Sequence, residues 1–169
     1  NTSNVTSMSN MFYYCTSLNS LDLSGFNTAA VTSMGNMFYN CERIISINLS
    51  SFNTSNVTNM VSMFPNCSKL RSLDLRSFNT SNVTNMFGMF QQSTQLKDVN
   101  LSSFNTSNVK NMGSMFSGCS ALRSVDISSF SNVSVTTLNS MFKYCSKLRV
   151  VYASSSWSAT PSSSDSVVF

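Results

Sequence analysis

Histidine is missing from all 169 residues, and Asp, Glu, Lys and Arg together supply only 9% of them. Without imidazole, no catalytic triad or general base can be built in the usual way. The six acids, Asp22, Glu42, Asp74, Asp98, Asp126 and Asp165, form no pair that stands out as the two carboxylates of a hydrolase. The five glycines do not gather into a phosphate-binding loop. The chain is therefore expected not to be an enzyme and to carry no cofactor. No C-x-x-C pair is present, which argues against a metal site. No apolar run approaches the roughly 20 residues of a membrane span, so membrane insertion by this segment is not expected. The net charge of +4 is spread thinly, without a basic block or aromatic–basic interleaving, which argues against nucleic acid as a partner. No stretch reads as a signal peptide, and Asn1 falls in mid-unit, as expected of a mature or excised piece of a longer protein.

What the sequence has in abundance is repetition. Phe26 returns as Phe52, Phe78, Phe104 and Phe130, and Val5 as Val31, Val57, Val83, Val109 and Val135. The unit reads F-N-T-S-N-V-T-x-M-x-x-M-F-x-x-C-x-x-L-x-S-L-D-L-S-S, 26 residues long, and no insertion interrupts it before residue 156. Such a period marks a solenoid, whose units bury apolar side chains only by stacking on their neighbours. Strict phasing of the aliphatic, Met and Phe positions also excludes a disordered Ser/Asn-rich linker.

Each residue type keeps to its own column. All five cysteines, Cys15, Cys41, Cys67, Cys119 and Cys145, share one column, in which Ser93 fills the remaining place. Because Ser cannot bridge, the column is expected to hold free, buried thiols rather than disulfides. The eleven methionines occupy two columns, and Phe12, Phe38, Phe64, Phe90, Phe116 and Phe142 follow the second. At this regularity a Met–Phe stripe is core, with sulfur–aromatic contacts filling the gaps. Val57, Met60, Met63, Phe64, Cys67 and Leu70 recur at intervals of three or four, which predicts a helical or 3₁₀ side to each coil. Leu73-Asp74-Leu75 alternates, which predicts one short strand per coil, stacked in parallel on the next. Asn53-Thr54-Ser55-Asn56 makes the return turn.

The run Leu70-x-x-Leu73-x-Leu75 matches the L-x-x-L-x-L core of leucine-rich repeats. With Met63-Phe64-x-x-Cys67 before it and Phe52-Asn53-Thr54-Ser55-Asn56-Val57 elsewhere in the unit, it closely resembles the BspA-like leucine-rich-repeat proteins of bacterial surfaces. The usual asparagine of L-x-x-L-x-L-x-x-N is replaced by Phe78, with Asn79 one residue later. The resemblance implies an α/β repeat solenoid of right-handed leucine-rich-repeat type: 26-residue coils, each with one short parallel strand and helical or 3₁₀ turns. Residues 1–153 are expected to form six coils, about 30 Å long at roughly 4.8 Å per coil. Residues 154–169 are expected to form an irregular partial coil or cap, with Trp157 one place beyond the Phe column.

The resemblance further implies an extracellular, cell-surface adhesion module that binds a protein or extracellular-matrix ligand on its sheet face. On that face the outward column reads Asp22, Asn48, Asp74, Asn100, Asp126 and then Tyr152, alternating so that carboxylates do not stack directly. Three positions earlier stand Arg71, Lys97, Arg123 and Arg149, with Arg43, Lys69 and Lys147 two positions before those. These rails are the candidate binding residues, although they could instead only offset one another. The Thr28, Thr54, Thr80 and Thr106 column, with Thr6, Thr32, Thr58, Thr84 and Thr136 four residues on, raises an ice-binding reading, but turn chemistry accounts for it. The alternative function is structural, with self-association head-to-tail through the Val5, Met8, Met11 and Phe12 layer of the first coil.

Overall fold

A computed structural model describes residues 1–157; the remainder of the expected cap, with Asp165, Val168 and Phe169, lies outside the described residues. Six short strands recur one repeat apart: β1 Ser20–Asp22, β2 Ser46–Asn48, β3 Ser72–Asp74, β4 Asp98–Asn100, β5 Ser124–Ile127 and β6 Val150–Ala153. They pair in parallel as β1–β2, β3–β4 and β5–β6, three two-stranded sheets, with Leu21 opposite Ile47, Leu73 opposite Val99 and Val125 opposite Val151. A second parallel ladder runs without a break on another side of the coils, from Ser7 to Ser33, Asn59, Asn85, Asn111 and Thr137. The chain is thus a repeat protein of periodic parallel strands, each coil hydrogen-bonded to the next.

Among the described residues there is no helix, so the helical or 3₁₀ side expected from the three-and-four spacing is corrected. The spacing arises instead from consecutive β-turns, each closing a bond from residue i to i+3. In the fourth coil the N–H groups of Phe78, Val83, Met89, Ser93 and Leu96 donate to the carbonyls of Leu75, Thr80, Met86, Phe90 and Ser93 at 2.9–3.3 Å. The apolar anchors stand at the corners of these turns, which imitates a helical period. The other N–H groups point along the stack: Met86, Gly88, Phe90 and Gln92 donate to Asn111, Gly113, Met115 and Ser117 of the next coil at 2.7–3.0 Å. Local turns and inter-coil bonds divide the backbone donors between them, so a polar main chain can run through an apolar interior.

That arrangement needs positive φ at the third residue of two turns per coil, the signature of type II turns. One column, Asn10, Asn36, Ser62, Gly88, Ser114 and Ser140, has φ of 47–61°. The other, Tyr14, Asn40, Asn66, Gln92, Gly118 and Tyr144, has φ of 55–79°. Asn and Gly suit this region, whereas Tyr and Gln are rarely found there.

Inside, Phe12, Phe38, Phe64, Phe90, Phe116 and Phe142 stack with centroids 5.2–5.8 Å apart and rings within 16° of parallel. Aromatic pairs at such separations stabilise beyond the area they bury. The second Phe column spans the places where the strands are not joined in one sheet. Phe52 stacks on Phe78 at 6.3 Å between the coils of β2 and β3, and Phe104 on Phe130 at 6.0 Å between those of β4 and β5. Leu73 and Leu75 are buried, as the alternation requires. Val151 of β6 and Trp157 are half-buried and packed against the core.

Two polar ladders run through this interior. Thr54 Oγ1 donates to the Asn79 carbonyl and accepts from the Asn79 N–H, both at 2.8 Å, and Thr2, Thr28, Thr80 and Thr106 repeat the pair of bonds. Thr28, Thr54, Thr80 and Thr106 are buried, whereas Thr6, Thr32, Thr58, Thr84 and Thr136 of the column four residues on are exposed. The cysteines are free, and Cys41, Cys67, Cys119 and Cys145 each donate a thiol hydrogen to the carbonyl of a Phe in the preceding coil. Ser93 makes the same bond to Phe64 at 2.7 Å, and its oxygen also accepts from the Cys67 N–H. Burial pushes the Cys41 thiol up to about 11 and those of Cys67 and Cys119 higher still.

Ser93→Ala should destabilise the fold by about 1–3 kcal/mol, because the Phe64 carbonyl and Cys67 N–H lose a buried partner. Ser93→Cys should recover most of that loss in urea denaturation. A thiol reagent at neutral pH should modify half-buried Cys15 readily and the four buried cysteines only as the chain unfolds.

Candidate functional site

The outward positions of the strands present the candidate binding residues. Asp22, Asn48, Asp74, Asn100 and Asp126 are all exposed, between inward positions that are buried or half-buried. Their first duty is local. Each side-chain oxygen accepts the backbone N–H two residues on, from Ser24, Ser50, Arg76, Ser102 and Ser128, at 2.8–3.2 Å. These Asx-type bonds begin the turn that carries the chain out of each strand. Asp and Asn accept equally well there, so the column can alternate between them without loss to the turn.

Register sets the electrostatics. Asp22 lies opposite Asn48, Asp74 opposite Asn100 and Asp126 opposite Tyr152, so no sheet pairs two carboxylates. Asn48 also donates from Nδ2 to Asp22 Oδ1 at 3.3 Å. The carboxyls are held below their ordinary range: Asp22 chiefly by the Ser24 backbone N–H, Asp74 by the Arg76 guanidinium and Asp126 by the Ser128 hydroxyl. All three remain ionised at neutral pH.

Arg71, Lys97, Arg123 and Arg149 are exposed at the start of this face. They do not neutralise the Asp column: among the described residues the one salt bridge joins Asp74 to Arg76, at 2.7 Å. Arg76 was not among the sequence candidates. Its signal was its position, the outward residue after Leu75 and two beyond Asp74. Asp98 is a further residue the candidate set passed over. Asp98 is an acid in the outward column held by Ser20, Ser46, Ser72 and Ser124.

These side chains border an open trough of about 730 Å³ across β3 to β6, bounded by Asp74, Asp98, Asn100, Ser124, Asp126 and Tyr152. It lies over the interval between β4 and β5, where the two strands belong to different sheets. A smaller hollow of about 390 Å³ occupies the equivalent interval between β2 and β3, beside Asn48, Asp74 and Arg76. The surface is open and of mixed polarity, with Leu73, Val99 and Val125 at its base, suited to gripping the outside of a large ligand rather than enclosing a small one. No group of three or more Cys, Asp or Glu among the described residues is placed to hold a metal ion.

A family model described as "Mycoplasma protein of unknown function, DUF285" matches residues 1–91 and again residues 66–168. No curated protein and no solved structure matches the chain.

Arg76→Ala should return the Asp74 carboxyl toward its ordinary value of 3.8 while leaving Asp126 depressed, as read from carboxyl carbon shifts during an acid titration. A carboxyl depressed in the folded state stabilises the fold above its ordinary value. That contribution disappears as pH falls through the lower, folded one. Stability of the unmodified protein should therefore decline as the pH drops below 3.8, and less steeply in the Arg76→Ala variant.

Proposed function

From the premise that this chain belongs to the DUF285 family, we propose that it is a non-catalytic binding module, displayed outside the cell, which attaches to a protein or extracellular-matrix ligand through its strand face. The observation that carries this reading is the open trough bordered by Asp74, Asn100, Asp126 and Tyr152. Its exposed side chains place carboxylate, amide and phenol groups at adjacent coils, which favours a ligand lying across several repeats. The stacked coils with one outward-facing strand each fit a right-handed solenoid of leucine-rich-repeat type, in which β-turns take the place of helices.

A second reading, head-to-tail self-association, rests on the first coil. Met11 is 45% exposed and Phe12 half-buried, whereas their counterparts Met37 and Phe38 are fully buried by stacking. Another copy of the chain would bury that layer in the same way.

Immobilised solubilised host matrix should retain the protein, and Ser124→Trp, which fills the trough without changing charge, should weaken binding about tenfold or more. Undiminished binding by that variant would remove the trough from consideration. Light scattering across a concentration series tests the second reading: growth of the particle with concentration, abolished by Phe12→Asp, would support stacking, and a constant monomer mass would end it.

A further inference from the structure

Arg71, Lys97, Arg123 and Arg149 occupy one repeat column in four successive coils, and Arg43, Lys69 and Lys147 lie two positions earlier in theirs. These seven are most of the ten Lys and Arg residues of the chain. All seven are exposed, and the salt bridge of the described residues engages Arg76 instead. Glu42 and Asp98 adjoin the array, beside Arg43 and Lys97. Backbone bonds hold the row as two pairs. The Lys97 N–H donates to the Arg71 carbonyl at 2.8 Å and the Arg149 N–H to the Arg123 carbonyl at 2.9 Å. At the usual spacing of stacked strands, Arg71 and Lys97 stand about 4.8 Å apart along the axis, as do Arg123 and Arg149, with the unpaired interval between β4 and β5 separating the two pairs.

Two pairs of exposed cations in successive coils along one axis are complementary to an extended polymer that carries repeated anions. They offer little to a compact anion, which would meet one or two charges. Two polymers have that character. Single-stranded nucleic acid is gripped by aromatic side chains on which bases stack, and the residues flanking the row, Leu70, Ser72, Leu122 and Ser124, provide none. Exposed Ser72 and Ser124 hydroxyls beside the cations suit sugar hydroxyls and sulfate oxygens instead. We propose that this row binds a sulfated linear polysaccharide along the stacking axis. The inference rests on the reading of this face as a binding surface and names a matrix component for it, along the edge of the trough.

Binding of a sulfated heparin oligosaccharide to the whole chain, followed by calorimetry at increasing salt, tests it. The expected result is affinity that falls steeply with salt and is lost on desulfation. The variant Arg71→Gln/Lys97→Gln/Arg123→Gln/Arg149→Gln should bind at least about tenfold more weakly, since each exposed charge contributes modestly. Lys110→Gln/Lys143→Gln, which removes two cations elsewhere, should change affinity less than about twofold. Asp98→Asn, which removes a repelling carboxylate, should strengthen binding and tests the row even if the quadruple variant folds poorly. Equal affinity in the quadruple variant, equal binding of the desulfated sugar, or tighter binding of single-stranded oligothymidine of equal charge would each overturn the proposal. Tyr152→Ala, which alters the trough away from the row, separates the two readings. Loss of matrix-protein binding with oligosaccharide binding intact supports both sites, whereas loss of the oligosaccharide as well places that ligand in the trough and overturns the row.

Discussion

The bond from a backbone N–H of one coil to a carbonyl of the next organises everything else in this protein. A coil built of β-turns satisfies only part of its own main chain, and the remaining groups must find partners above and below. They do so only if every coil has the same length and the same conformation. This is why the period never slips and why two residues per coil accept positive φ. Asn and Gly fill many of those places, but Tyr14, Gln92 and Tyr144 occupy them too, so the requirement of the stack outweighs the preference of the residue. The buried Thr and Cys columns extend the same logic to side chains, each spanning one coil to the next with a bond to backbone.

Much of this was legible before any coordinates. Phasing alone identified the stacked repeat, the strand at Leu73-Asp74-Leu75, the inward Leu residues and the unbridged Cys column. The helical side was misread for a physical reason. Turns closing at i+3 and placed end to end put apolar anchors at the same intervals of three and four as a helix does. Periodicity reports which residues face inward, and both structures face inward at those intervals. The distinguishing signal was present in the residues ahead of the second Met and the Cys. Asn36, Asn40, Asn66, Gly88 and Gly118 are poor helix formers but suited to left-handed turn positions.

The candidate site was legible in part. Strand alternation placed Asp22, Asn48, Asp74, Asn100 and Asp126 outward, and each of them is exposed. Their use as turn acceptors depends on a bond to the residue two places on, which hydropathy cannot register. Nor could the sequence show that the basic column would be left without partners while Arg76 took Asp74, since that choice depends on side-chain reach. The trough depends on where strand pairing lapses, a property of relative coil placement rather than of any one repeat.

That lapse gives the chain two periods. The turn ladder counts in single coils, whereas the strand pairs and the Asp–Asn alternation count in twos. Repetitive genes change length by gaining and losing whole units during replication. Losing 52 residues here would leave no two carboxylates on neighbouring strands. Losing the single coil that carries Asn48 would instead set Asp22 against Asp74 at one strand spacing, a like-charge pairing that destabilises adjacent strands. Loss of two coils thus keeps the carboxylates apart, whereas loss of one does not always do so.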